Sequence, residues 1–149
     1  MQAKKMLPTT YLLIALIAML LFHFLLPGVM IIPMPWNALG IIPLGVGLII
    51  NLAADSLLRK AQTTIKPFEE PSALVTDGVY RLSRHPMYLG FVLILTGIAI
   101  LLRSLTPWAI VVVFAVLMDR IFIQVEERML EKRFGPAWQD YKSKTRRWL

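Results

Sequence analysis

The chain has 149 residues, 57% of them hydrophobic, with a mean hydropathy of +0.65 and a net charge of +7. The length suggests one domain, and the hydropathy excludes an ordinary soluble fold. There is no cysteine, which excludes disulfides, thiolate metal sites and cysteine nucleophiles. Two histidines are too few for a histidine-rich metal site, so no metal is expected.

The apolar residues come in blocks with the charges gathered between them, the layout of a polytopic membrane protein. The first block, "YLLIALIAMLLFHFLL", follows Lys4 and Lys5. No small-residue cleavage site comes after it, so it reads as a transmembrane helix over about 9–27, ending at Pro27-Gly28, rather than as a signal peptide. Its one polar residue, His23, reads as packed or interfacial. The link "PGVMIIPMPW" has three prolines and no charge, and is expected to bend at the far interface. The second helix is expected over about 36–58, with Gly40, Gly45 and Gly47 allowing close helix contact. Asn51 and Asp55 share a face near its end, and Asp55 stands four before Arg59, an interfacial salt pair.

A polar segment, 59–85, follows, with turn signals at "KPFEEP" and "TDG". The third helix is expected over 86–103 and the fourth over 106–125, joined by the short turn "RSLTP" as an antiparallel hairpin. Residues 126–149 form a polar tail. The fold class is therefore all-α: a single membrane domain of about four transmembrane helices plus a cytoplasmic C-terminal helical extension. Lysine and arginine counts orient it: two at the N-terminus, five over 59–84 and seven beyond Gln124, against Arg103 alone in the opposite turns. Both termini and the 59–85 loop are then cytoplasmic. The spread of basic residues over connecting segments suits anionic lipid rather than nucleic acid.

The fourth helix strains this plan. Leu105 to Met118 is apolar, but that covers only about 21 Å before Asp119 and Arg120. Charges at that depth usually face a polar cavity or a partner. Arg120, Gln124, Glu127 and Glu131 fall on one helical stripe, with Asp119 and Glu126 on its neighbour. The plainer reading is a snorkelling arginine with a solvated extension. Opposite stands "RLSRHPMYLGF". Pro86 suits the first turn of a helix, whose free N–H groups favour an anion. Arg84 and His85 sit at that end, Tyr88 within one turn, and Gly90 allows close approach. A ligand with anionic and cationic ends would suit the gap between the third and fourth helices. S-adenosylmethionine is one such ligand, and a zwitterionic lipid headgroup is another.

The stretch "LVTDGVYRLSRHPMYLG", Leu74 to Gly90, and the ending "EERMLEKRFGPAWQDYKSKTRRWL" together resemble the signature of the isoprenylcysteine carboxyl methyltransferase and phospholipid methyltransferase superfamily. The resemblance covers 74–149, while the first two helices match only in being hydrophobic. It implies S-adenosylmethionine bound inside a helical membrane core, with S-adenosylhomocysteine as product, and not a soluble Rossmann-type fold. Carried over residue by residue, the cofactor contacts fall on Arg84, His85, Pro86, Met87, Tyr88, Glu126 and Glu127, with the backbone around Val75 and Gly78. Adjacent glutamates point about 100° apart on a helix, so one is expected to reach the cofactor while the other holds an arginine or an amide. Two positions depart from the family: its Tyr in F-G-x-x-Y is Trp138 here, and the site one turn before the Glu pair, an arginine in the eukaryotic isoprenylcysteine enzymes, is Phe122, with Arg120 nearest.

The implied activity is methyl transfer to a lipophilic acceptor: an isoprenylcysteine-like carboxylate, a phospholipid amine, a thiol or another small lipophile. Arg120, Glu126 and Glu127 are the expected catalytic residues, with Asp119 and His85 as further proton acceptors. Rival classes are a small transporter and a non-catalytic membrane scaffold. The polar density at one edge argues against the first, and intact His85, Tyr88, Glu126 and Glu127 against the second. Trp36, Trp108 and Trp148 read as interfacial anchors, the eight methionines as core filling, Glu69-Glu70 as a solvated loop, and "KSKTRRWL" as a basic run on anionic lipid.

Overall fold

A computed structural model describes residues 6–26, 28–64 and 68–149. Lys4, Lys5, the expected first-helix end at Pro27 and the Lys66-Pro67 start of the "KPFEEP" turn lie outside the described residues. Among the described residues, six α-helices carry the fold: α1 (Pro8–Leu25), α2 (Ile41–Lys60), α3 (Pro86–Leu102), α4 (Thr106–Leu117), α5 (Gln124–Phe134) and α6 (Pro136–Lys144). Among the described residues there is no strand, only an isolated bridge between Met30 and Ser104. Proline opens α1, α3, α4 and α6 within the first two positions, where its missing N–H leaves no bond unmade. A 3₁₀ turn, Trp36–Gly40, leads into α2.

Three helical stretches are long and apolar enough to cross a membrane: Pro8–Leu25, Trp36–Lys60 and Thr106–Phe134. The fourth, α3, is apolar throughout its 17 residues. The protein is an integral, multi-pass membrane protein. Its large apolar side chains point outward accordingly, with Phe24 75% and Leu52 71% exposed. The charges at Asp119 and Arg120 do not end the last helix. A π-helical turn, Met118–Ile123, joins α4 to α5, so the stretch from Thr106 to Phe134 runs 29 residues, roughly 43 Å at helical rise.

The largest helix interface sets α2 against α3. It continues into the preceding 3₁₀ turn and is built from glycines seven residues apart on each side: a Cβ on Gly40 would meet the Gly97 carbonyl, and one on Gly47 the Gly90 carbonyl, each relation holding in reverse. Lacking a side chain at the crossing points, the backbones meet directly, which is how membrane helices gain packing where lipid removes the hydrophobic drive. Gly45, expected to share this role, faces open space. It sits two residues from Gly47, about 200° around the helix.

On the other side, α1 lies along α4, and Ala15 and Met19 enter a core with Leu95, Ala99, Val111, Phe114, Met118, Phe122 and Ile123. At the hairpin end, Arg103 adopts a left-handed backbone (φ 69°), and its N–H closes α3 on the Ala99 and Ile100 carbonyls. The Arg103 side chain donates to the Ile32 carbonyl at 3.0 Å, tying the hairpin to the proline-rich link. His23 is packed there as expected, 2.8 Å from the Ser104 hydroxyl. Asp55 and Arg59 form the expected exposed pair at 2.7 Å.

Candidate active site

The polar knot stands at the start of α3. His85 is the last residue before Pro86, and its backbone N–H donates to the Ser83 hydroxyl at 3.1 Å. This leaves the imidazole almost wholly buried, 4% exposed for the residue. Its Nδ1 lies 3.4 Å from Glu126 and its Nε2 3.5 Å from Glu127. Burial alone would lower the His85 pKa, but the two facing carboxylates more than offset it and raise it above the ordinary value. The two carboxylates on either side of His85 thus favour its protonated form.

The two glutamates do different things. Glu127 is tied on both oxygens: Arg84 donates to Oε1 at 2.8 and 3.2 Å, and Arg147 reaches Oε2 at 2.6 Å and Oε1 at 3.2 Å. Glu126 accepts from the Tyr88 hydroxyl and lines a cavity. This division follows from the 100° between neighbouring helical side chains: α5 turns one carboxylate toward the arginines and the other toward the opening.

The cavity holds about 280 Å³. Its walls come from the start of α1 (Leu7, Pro8, Thr9), Leu58, Thr63 and Thr64, the 68–75 segment, the start of α3 and the inner faces of α5 and α6. His85, Tyr88, Glu126, Trp138 and Tyr141 are among its polar lining residues, and Met87, Phe91, Met129 and Leu130 among its apolar ones. Tyr88 is fixed by Phe122, with ring centroids 6.0 Å apart and nearly parallel. Trp138 is 1% exposed and lies under the Arg84 guanidinium, 5.8 Å from the ring centroid. The Tyr141 hydroxyl donates to the Tyr80 carbonyl at 2.6 Å, joining α6 to the turn before α3. Burial pushes the Tyr141 phenol up to about 12 and the Tyr80 phenol higher, so both stay neutral hydrogen-bonding groups.

Of the expected cofactor contacts, Val75, Arg84, His85, Pro86, Met87, Tyr88 and Glu126 line this cavity. Gly78 does not: its positive φ (57°) opens the 3₁₀ turn Gly78–Arg81, and it packs against Leu57. Glu127 stands behind the wall, holding arginines. Arg120, an expected catalytic residue, stands apart from this cavity. It is exposed, and it lines a shallow recess with Ala115, Val116, Asp119 and Trp148, away from the cavity. The π-turn is the reason. Its extra residue breaks the stripe that regular α spacing would draw through Arg120, Gln124 and Glu127. Asp119 meets Gln124 five residues on, at 3.0 Å, instead of lining up with Glu126.

The sequence profile of the phospholipid methyltransferase family matches residues 36–137. This chain belongs to that family. It is 37% identical over 107 residues to protein-S-isoprenylcysteine O-methyltransferase A of Arabidopsis thaliana, covering 68% of this chain and 53% of that protein. It is 41% identical over 80 residues to the protein-S-isoprenylcysteine O-methyltransferase of Saccharomyces cerevisiae, covering 51% of this chain and 32% of that one. The chain thus spans about half or less of the length of these relatives. Its fold resembles that of the eukaryotic intramembrane Ras methyltransferase ICMT, with a TM-score of 0.51 and 22% identity over 95% of this chain and 51% of that one.

Within this family member, sequence reasoning missed Arg147. As part of "KSKTRRWL" it was assigned to the lipid surface, yet it binds Glu127 and Asp119. Arginines are common wherever a chain meets the cytoplasmic membrane surface, and only the returning tail distinguishes this one. Glu69, read as solvated, bonds the Thr64 hydroxyl at 2.7 Å and stands at the cavity wall. Trp108 and Trp148 pack against the apolar core, while Trp36 is 62% exposed.

Proposed function

We propose that the chain is an integral-membrane, S-adenosylmethionine-dependent methyltransferase acting on a lipophilic acceptor. The observation that carries this reading is the split of the glutamate pair: Glu127 is consumed by two arginines, while Glu126 is presented to the cavity between Tyr88 and His85. The residues present fit the cofactor. The Trp138 Nε1 donor is buried without a hydrogen-bond partner, and Trp138 lines the cavity. Buried donors are seldom left unpaired unless a ligand or water completes them. Glu126 would hold the cofactor ammonium, and the apolar wall from Met87, Phe91 and Leu130 would cover its less polar parts.

When bound, S-adenosylmethionine supplies a sulfonium methyl already activated for displacement. The chain's own work is then to position the acceptor and exclude water. An isoprenylcysteine-like carboxylate needs no base. A phospholipid amine or a thiol must lose a proton. Glu126, presented to the cavity beside Tyr88, is the acceptor we assign. Membership of the family and the apolar wall support a lipid-like acceptor.

We further assign both termini and the 59–85 loop to the cytoplasm. The lysine and arginine distribution supports this. So does the gathering of the α1 start, the 68–75 segment and α6 around one cavity. Because the chain has no cysteine, single cysteines at Asp77 and Lys142 can be labelled with a membrane-impermeant maleimide. Both should react only from the cytoplasmic side.

The binding test is calorimetric titration of S-adenosylhomocysteine into detergent-purified protein. Micromolar binding that is lost in His85→Ala and in Glu126→Ala is expected. A folded wild type that binds nothing would overturn the assignment.

A further inference from the structure

The geometry points to Arg147 as a positioning residue for the cavity, with the C-terminal segment as the strap that carries it; this rests on the methyltransferase reading above. Arg147 does not line the cavity. It joins three separate parts of the fold. Its guanidinium holds Glu127 on α5 at 2.6 Å and Asp119 in the π-turn at 3.2 Å. The far Asp119 oxygen takes the Gln124 amide at 3.0 Å, so the π-turn is fastened across its own length. The Arg147 carbonyl accepts the Ser83 hydroxyl at 2.9 Å, and that same hydroxyl receives the His85 N–H. The side chain thus fixes the glutamate that faces His85 Nε2, while the backbone fixes the serine under the His85 main chain.

The strap is seated at several further points. Arg84 N–H donates to the Arg146 carbonyl at 2.9 Å, and the Arg84 guanidinium reaches the Thr145 carbonyl at 2.6 Å. Thr145 is buried. This is more order than a lipid-facing basic tail requires, and it converges on one carboxylate.

The division of labour between the glutamates depends on this contact. Arg84 alone would satisfy only Oε1 of Glu127, since Arg147 is the arginine on Oε2. With Oε2 released, the Glu127 carboxylate is free to swing and take the His85 ring with it, away from Glu126. The Tyr88–Glu126 pair at the cavity wall then loses its imidazole neighbour, 3.4 Å away. Only a forked guanidinium can hold Glu127 and Asp119 together; a lysine ammonium has the charge without the planar reach.

The test is S-adenosylhomocysteine titration and thermal unfolding of full-length wild type, Arg147→Ala, Arg147→Lys and Asp119→Asn in the same detergent. Expected is a dissociation constant raised at least about tenfold in R147A and less in R147K and D119N, with each apo protein still unfolding cooperatively. Millimolar guanidinium should restore binding to R147A, which a loss of fold would not allow. If R147A does not fold, R147K and D119N carry the test alone, and both must weaken binding. Unchanged affinity per folded molecule in the variants, beside a wild type that binds, would overturn the role of Arg147 and leave the methyltransferase reading standing. A folded wild type that does not bind would remove that reading itself.

Discussion

Helix α3 is held along its length and at its start by opposite means. Along its length it meets α2 through Gly90 and Gly97, where fit is decided by the absence of side chains. At its start, Arg84 and His85 meet Glu126, Glu127 and Arg147, where fit is decided by charge and hydrogen-bond geometry. The first contact lies in the apolar span, where a partner can only be gripped by shape. The second lies at the edge, where buried ions are tolerated because each has a partner. A site that handles a charged ligand beside a lipid needs both: a rigid apolar frame and a polar mouth that this frame aims.

The polar mouth should be the more costly to break. Glu127→Ala leaves two guanidiniums facing one another, Arg84 with a side chain only 8% exposed. A loss of about 3 kcal/mol is expected, the low end for a broken buried pair because Arg147 is 37% exposed. Thermal unfolding in detergent measures it, and a change within error would mean that the arginines find other partners.

The glycine frame comes next. A Cβ on Gly90 would strike the Asn51 amide and the Gly47 carbonyl, and since a backbone atom cannot step aside, Gly90→Ala should cost about 1–3 kcal/mol. Gly45→Ala is the matched control. With open space at that Cβ, it should cost nothing and add up to about 1 kcal/mol of helix propensity. Equal losses at the two positions would refute a glycine-built interface.

A smaller effect separates the two contacts by pH. His85 gains its charge partners on folding, so its folded pKa stands above the ordinary 6.5. The stabilisation is complete below 6.5 and fades as pH rises through the folded value. Melting temperature should fall across that window in wild type and fall less in His85→Gln, with Gly90→Ala keeping the wild-type slope. The smallest effect is at the exposed Asp55–Arg59 pair, where Asp55→Asn should leave the melting temperature unchanged, as is common for surface ion pairs.

Much of the frame was legible before any coordinates. Pro86 announced the start of α3, because a residue without an N–H fits only where none is needed. The apolar blocks announced the membrane helices, because lipid offers backbone groups no partner. His85, Tyr88 and Glu126 could be named from their motif. What the linear order hid were features set by contact at a distance. Gly45 and Gly47 look alike in the chain, yet only one meets α3. Arg120 lay on a regular helical stripe with Glu127, and the π-turn removed it. Arg147 looked like any tail arginine until the tail returned to Ser83 and Arg84.

The sequence alone therefore determined that this is a helical membrane protein with a charged knot at one edge, since hydropathy, proline position and charge counts act locally and add up along the chain. The tertiary structure decided which glutamate faces the cavity, which arginine holds the other, and which glycines touch. Each of those depends on how two distant segments are turned toward one another, and a rotation of about 100° per residue reverses the answer.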